Sequence, residues 1–137
     1  MEITAIRAEE LTGTLDLDLD AFWEERLVMP LDVYDEFREM PVGSALAGYP
    51  DVNPHEENGE VLVNQIFLFV ETAEGITGTV GPLDRTWARL ALELEPLLLG
   101  RDPLATEKIW DLMYRQRAHG RKGAGMKAIS AIDCALG

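Results

Sequence analysis

A run of apolar residues in the middle of the chain, EVLVNQIFLFVETAEGITGTVG, has the composition of β-strands. β-Branched and aromatic residues extend from Val61 to Val70, residues 72–75 have turn character, and a second extended stretch begins at Ile76. The pattern predicts a β-hairpin. Apolar residues occupy both the odd and the even positions of the first strand, so we expect other parts of the protein to cover both of its faces.

Downstream of this hairpin, apolar residues recur at the three- and four-residue steps of amphipathic helices. The stretch LDRTWARLALELEPLLLG predicts a helix with Asp84 as N-cap and Gly100 as C-terminal stop, divided or kinked at Pro96. In RDPLATEKIWDLMYRQ, Asp102 is the expected N-cap and Pro103 the first helical residue. Two or three helices are therefore predicted before the basic loop RAHGRKGAG.

The first part of the chain lacks such regularity. A short strand is predicted at about residues 2–8, whereas residues 9–60 are acidic, irregular and interrupted by prolines, with one or two helical turns around residues 20–27. An excursion of that length is either disordered or functional. The order is strand, excursion, hairpin and three or four helices, the last from about Met126, which predicts one α+β domain over residues 1–137.

Charge is distributed unevenly along the chain. Residues 1–60 hold 16 acidic and 3 basic residues and residues 61–137 hold 9 of each, so the first part carries the whole net charge of −13. Such a surface repels phosphate backbones and anionic lipids, and we expect no nucleic-acid and no membrane partner. Because the acidic residues lack the spacing of a cation-binding loop, a solvated acidic face is the simpler interpretation.

The sequence also indicates the compartment. No apolar run reaches the length of a membrane-spanning helix, and the acidic start MEITAIRAEE differs from a secretory signal, so we expect a soluble cytoplasmic protein. The single cysteine, Cys134, cannot form an internal disulfide. Its place among alanines on the last helix predicts a buried thiol without a chemical role.

Three stretches resemble one known family, in order and in spacing. The hairpin VETAEGITGTVG, the segment LLLGRDPLATEKIWDLMYR and the helix AISAIDCAL are similar to the N-terminal capping domain of the mandelate racemase and muconate-lactonizing enzymes, within the enolase superfamily. The resemblance implies a three-stranded antiparallel β-meander followed by a bundle of three or four helices. Gly137 stands where that family commonly has tryptophan.

The resemblance implies an activity for a longer protein. In this family a modified (β/α) barrel follows the capping domain, and we expect this chain to be the first part of such an enzyme. The family abstracts a proton alpha to a carboxylate, with Mg²⁺ stabilising the resulting enediolate. Its bases and metal ligands lie on barrel strands, so we assign no catalytic and no metal-binding residue here and expect the chain alone to be inactive.

Within the family, VMPLDVYDEF and HGRKGAGM look most like the sugar-acid dehydratases, L-rhamnonate dehydratase and its relatives, which form 2-keto-3-deoxy acids. Racemase and cycloisomerase activities remain alternatives. The expected partners are the barrel domain, a small acid sugar and further copies in a homo-oligomer. A stand-alone binding or assembly module with the same fold is the alternative from a different class.

Under this resemblance, five residues are candidates for substrate binding: His55, Trp23, Arg26, Arg121 and Lys122. The excursion at residues 9–60 occupies the place of a lid over the barrel mouth, and His55 aligns near a substrate-binding basic residue of the rhamnonate-type enzymes. Trp23 and Arg26 are candidates for stacking on a polyol and hydrogen-bonding to it. Arg121 and Lys122 are candidates for binding an anion beside the free amides of the last helix.

Each candidate also has a purely structural interpretation. His55 would then be an exposed loop histidine, and Trp23 would anchor the excursion to its own domain. The basic loop that contains Arg121 and Lys122 would be a flexible connector that offsets the acidic first part. The excursion itself would be a surface insertion or a subunit contact.

Overall fold

A computed structural model describes residues 1–16, 30–38, 55–57 and 60–137, which fall into two compact units, residues 1–10 with 66–137 and residues 11–65. The strands are β1 (Ile3–Leu15), β2 (His55–Glu57), β3 (Glu60–Thr72) and β4 (Thr77–Leu83). The α-helices are α1 (Asp35–Arg38), α2 (Arg85–Leu92), α3 (Glu95–Leu98), α4 (Thr106–Gln116) and α5 (Gly123–Leu136), and a 3-10 helix covers Pro30–Val33.

The sheet is built around β3, which pairs with all three other strands. β4 runs antiparallel to its second half, with Leu68 opposite Val80, and the register shifts between Ile66 and Leu68. Four helices, α2 to α5, follow the sheet along the chain. The α+β class is therefore confirmed, and so is the antiparallel sheet followed by helices.

The predicted turn between β3 and β4 is confirmed. The backbone N–H of Thr72 donates to the carbonyl oxygen of Ile76 at 3.0 Å, and that of Gly75 donates to Thr72 at 3.0 Å. Gly75 has a φ of +81°, a left-handed conformation that glycine adopts without steric cost.

The core lies on one face of the sheet, under the helices. α5 contacts α2, α4 and β4. A Cβ on Gly78 of β4 would lie 1.7 Å from the carbonyl oxygen of Ala135, so the close approach of strand and helix depends on glycine. The most deeply buried large side chains are Ile3, Leu68, Val70, Leu98, Ile109 and Ile132.

Helix starts follow the predicted caps in one case and not in the other. Asp84 caps α2, since its carboxylate accepts from the N–H of Thr86 at 2.7 Å. Asp102, by contrast, accepts from the N–H of Leu104 at 3.1 Å and closes a turn before the helix. The prediction of Asp102 as N-cap was wrong, because this side chain satisfies a local turn and α4 begins only at Thr106.

The helix predicted between Asp84 and Gly100 is divided as expected. α2 ends at Leu92, and α3 begins at Glu95, immediately before Pro96. Gly100, which follows α3, has a φ of +76°, in keeping with its predicted role as a stop. In the part of the chain that the structure describes, no helix is both long enough and apolar enough to cross a bilayer.

The first strand is longer than predicted. β1 continues to Leu15, and its residues from Glu9 onward are exposed. Part of the segment expected to be irregular is thus extended. The helical turns predicted around residues 20–27 lie outside the described residues.

The prediction of a buried Cys134 was wrong, because the thiol is exposed. On α5 the buried positions are Ala128, Ile129, Ala131, Ile132 and Ala135. Cys134 falls instead on the outer stripe with Lys127 and Ser130, at the three- and four-residue spacing of a solvent-facing helix surface.

Candidate functional site

The basic, glycine-rich loop between α4 and α5 contains two of the predicted site residues, Arg121 and Lys122. Within it, the N–H of Gly120 donates to the carbonyl oxygen of Arg117 at 3.2 Å. A Cβ on Gly125 would lie 2.6 Å from the carbonyl oxygen of Gly120, so the loop packs closely against the first turn of α5. The loop is therefore a structured turn with its own contacts.

Arg121 is held against an aromatic pair. Its guanidinium carbon lies 4.6 Å from the centroid of the Tyr114 ring. That ring stacks on Trp110, with a centroid separation of 4.8 Å and an interplanar angle of 15°. A guanidinium over an aromatic face gains a cation–π interaction, which restricts the orientations of the exposed Arg121 side chain.

The other bases of the loop differ in their contacts. Arg117 donates to the Glu93 carboxylate at 2.6 Å. Lys122 occupies the N-cap position of α5 without a side-chain hydrogen bond to the helix, and both it and His119 are exposed. Arg121 and Lys122 therefore form a positive surface that an anion can reach. The predicted binding of an anion by this loop stays a prediction.

Sequence reasoning missed the aromatic partners of Arg121. Trp110 and Tyr114 are four residues apart on α4, a spacing that places two side chains on one helix face, and this signal could have been found. It could not have indicated Arg121 as the third member, because the loop conformation brings that residue back to Tyr114.

The remaining predicted site residues are only partly described. His55 belongs to β2, where its backbone pairs opposite Leu62. Trp23 and Arg26 lie outside the described residues. Among the five candidates, the structure thus brings Arg121 and Lys122 together in one loop.

A second arginine, Arg7, packs on an aromatic ring of β3. Arg7 lies with its guanidinium carbon 4.2 Å from the Phe69 centroid and donates to Glu71 at 2.5 Å and to Glu9. The hydrogen bond with Glu71 raises the pKa of Arg7, so the group stays charged throughout the physiological range. Arg7 thus covers part of the β3 face for which the sequence predicted a covering layer.

Mg²⁺ is the ion that the family resemblance implies. Among residues 1–16, 30–38, 55–57 and 60–137, no three His, Cys, Asp or Glu side chains are grouped so that they could hold a metal ion. The donor set of the described residues therefore does not fit a Mg²⁺ site, which requires several oxygen ligands in octahedral geometry.

Residues 55–137 match the family profile described as mandelate racemase / muconate lactonizing enzyme, N-terminal domain. The chain belongs to this family. The match covers β2, β3, β4 and helices α2 to α5, which include all three stretches on which the resemblance rests.

Sugar-acid dehydratases are among the relatives of this mandelate racemase / muconate lactonizing enzyme domain. It is 37% identical over 75 residues to a D-galactonate dehydratase of Verminephrobacter eiseniae, an alignment covering 52% of this chain and 20% of that protein. It is 37% identical over 79 residues to a D-mannonate dehydratase of Rhizorhabdus wittichii, an alignment covering 53% of this chain and 19% of that protein. The alignments thus span about a fifth of the length of these relatives.

Solved structures confirm the fold. The 3,6-anhydro-D-galactonate cycloisomerase from Zobellia galactanivorans matches with a TM-score of 0.58 and 19% identity, over 99% of this chain and 27% of that chain. A member of the enolase superfamily from Polaromonas sp. JS666 matches with a TM-score of 0.54 and 24% identity, over 99% of this chain and 29% of that chain. The architecture is that of an enolase-type N-terminal domain.

Proposed function

We propose that this chain is the capping domain of a Mg²⁺-dependent acid-sugar dehydratase and that it contributes to substrate specificity. The observation that carries the proposal is the identity of 37–39% over 75–79 residues to proteins named D-galactonate dehydratase and D-mannonate dehydratase. These names describe the dehydration of an acid sugar, the reaction class that the motifs of the sequence favour.

The proposed reaction removes the proton alpha to the carboxylate and the hydroxyl group of the next carbon. The hydroxyl leaves as water, and the enol that remains tautomerises to a 2-keto-3-deoxy acid. In the family a divalent metal stabilises the enediolate charge. Because the described residues do not fit a Mg²⁺ site, we assign the base and the metal ligands to a following barrel domain and none of these steps to this chain.

The contribution of this chain is to cover and select the substrate. The excursion at residues 9–60, with Trp23, Arg26 and His55, is proposed to close over the barrel mouth and exclude water. Arg121 and Lys122 are proposed to bind the carboxylate or a distal hydroxyl group. The cation–π contact with Tyr114 supports this role, because a guanidinium that is already oriented loses less conformational entropy on binding an anion.

The decisive test is the activity of the full-length gene product. The complete open reading frame would be expressed, and the protein would be incubated with Mg²⁺ and a panel of acid sugars that includes D-galactonate and D-mannonate. We expect formation of a 2-keto-3-deoxy acid from at least one of them, detected as its semicarbazone. The matched control is the 137-residue chain alone, for which we expect no product.

Two outcomes would contradict the proposal. If the full-length protein dehydrates no acid sugar, the dehydratase assignment is wrong, and racemisation or cycloisomerisation of the same panel would identify the alternative. If the 137-residue chain forms product unaided, the assignment of all chemistry to another domain is wrong. A reading frame without a barrel would favour the stand-alone module. Cytoplasmic location and homo-oligomer assembly stay predictions.

A further inference from the structure

A surface hollow of about 280 Å³ lies beside the first turns of α4. Thr106, Glu107 and Trp110 of α4 line it together with Asp133 of α5, the helix that packs against α4. The lining combines an aromatic ring, two carboxylates and a hydroxyl group. The proposed function uses none of these four residues.

The aromatic wall of this hollow is one end of a stacked column. Thr106, Trp110 and Tyr114 follow one another at four-residue steps and so share one face of α4. The Trp110 ring centroid lies 4.8 Å and the Arg121 guanidinium carbon 4.6 Å from the Tyr114 centroid, so both groups contact the Tyr114 ring. The column therefore runs from Arg121 through Tyr114 to Trp110.

Trp110 contributes to the lining of the hollow, and Tyr114 stacks on its indole ring. The contacts thus link the Arg121 guanidinium, through Tyr114, to an aromatic ring that lines the hollow.

The two carboxylates of the hollow have no counter-charge within the described ranges. Glu107 is exposed and Asp133 is partly buried, and neither side chain makes a hydrogen bond or ion pair with another residue of the part that the structure describes. None of the described residues that line the hollow is basic. An aromatic face flanked by two unpaired carboxylates attracts a cation by both cation–π and ionic interactions.

We propose that this hollow binds a guanidinium group, stacked on Trp110 and hydrogen-bonded by Glu107 and Asp133. A guanidinium group is planar, stacks on aromatic rings and donates in a fork that matches carboxylates, whereas an ammonium group is a compact and strongly hydrated charge. The same column already holds one guanidinium, that of Arg121. The inference concerns residues outside the proposed substrate contacts and stands whether or not the parent enzyme is a dehydratase.

The test uses a matched pair of small molecules. The chain labelled with ¹⁵N would be titrated with L-arginine and with L-citrulline, whose neutral ureido group has the size of the guanidinium, and the indole N–H resonance of Trp110 would be followed. We expect a saturable shift with arginine and none with citrulline. The Glu107→Gln/Asp133→Asn variant should weaken arginine binding roughly tenfold.

A control separates this effect from a general loss of negative charge. The Asp35→Asn/Glu36→Gln variant removes the same number of acidic charges from α1, and we expect it to bind arginine as the unmodified chain does. Circular dichroism would verify that both variants are folded. Equal shifts with arginine and citrulline, or unchanged binding by the Glu107→Gln/Asp133→Asn variant, would overturn the proposal.

Two further arms identify the source of the guanidinium group. A shift of the Trp110 resonance with protein concentration, without added ligand, would indicate an arginine of a second copy. A shift that requires added arginine would indicate a free guanidino compound. If neither condition moves the resonance, the hollow is not a guanidinium site.

Discussion

The two compact units differ in how their residues are held. Among the described residues, every buried hydrophobic side chain except Val61 belongs to the unit of residues 1–10 and 66–137. In the unit of residues 11–65, the described contacts include surface ones, such as the hydrogen bond from Arg38 to the Asp32 carbonyl oxygen at 2.8 Å. The first unit is therefore specified by apolar packing, and the described part of the second by backbone pairing and polar contacts.

This difference corresponds to the distribution of charge. The residues that carry the net charge of −13 all precede residue 61, whereas the packed helical part has equal numbers of acidic and basic residues. Self-repulsion of like charges opposes compaction, so a strongly acidic segment gains less from burial than a balanced one. Substitutions should accordingly be costly in one unit and tolerated in the other.

The largest expected difference comes from truncating a leucine in each unit. Leu68 is 0% exposed and Leu11 is 50% exposed. We expect Leu68→Ala to lower the free energy of unfolding by about 4 kcal/mol, since it removes buried methyl groups and leaves a cavity. Leu11→Ala should cost about 0.5 kcal/mol. Urea unfolding followed by circular dichroism measures both, and equal losses would contradict the contrast between the units.

A pair of glycines offers a sharper version of the same comparison. A Cβ on Gly78 would lie 1.7 Å from a backbone oxygen of α5, whereas a Cβ on Gly13 would meet nothing within 4 Å. Gly78→Ala should therefore displace α5 and lower the free energy of unfolding by about 3 kcal/mol.

Gly13→Ala is the matched control and should change this free energy by less than about 0.5 kcal/mol. Thermal unfolding of both variants gives the comparison. A Gly78→Ala variant as stable as the unmodified chain would show that strand and helix separate without loss of packing.

The same contrast explains what could be predicted from the sequence. The hairpin, the division before Pro96 and the cap at Asp84 follow from local patterns, because turn residues, proline and caps act within a few positions. The exposed end of β1 could not be predicted, since its pairing with β3 depends on residues far away in the chain. Aspartate is a common N-cap residue, but the Asp102 carboxylate accepts from the N–H of Leu104 in a turn that precedes α4.

The candidate site was less predictable than the fold. Arg121 and Lys122 were candidates because basic residues beside glycines have a recognisable composition, and their role in binding an anion stays a prediction. Their environment was not found, since the contact of Arg121 with Tyr114 depends on how the loop folds back. For Trp23 and Arg26 the prediction rests on family resemblance and remains untested.

A smaller effect is expected at the start of α2. Asp84→Ala removes the carboxylate that accepts from the N–H of Thr86 and should lower the free energy of unfolding by about 1 kcal/mol. Asp84→Asn is the matched control, because asparagine caps helices about as well as aspartate. If both substitutions lower the free energy of unfolding equally, the charge of Asp84 matters more than its hydrogen bond.

The last prediction concerns the basic loop, where we expect only a small change in the free energy of unfolding. Arg121 is exposed, so Arg121→Ala should change the free energy of unfolding by about 0.5 kcal/mol through the lost contact with Tyr114. In the full-length enzyme, the same substitution should raise KM for the acid sugar about threefold and leave kcat unchanged, because the proposed contact binds substrate and transition state alike. Steady-state kinetics at constant ionic strength measures both parameters.

Lys108→Ala controls for the loss of a positive charge, since Lys108 is exposed on α4 and outside the loop. It should leave KM unchanged. An unchanged KM in Arg121→Ala would remove the loop from the substrate site and leave Trp23, Arg26 and His55 as the candidates. A fall in kcat at constant KM would instead mean that the loop acts on the transition state, a role that uniform binding of the substrate does not explain.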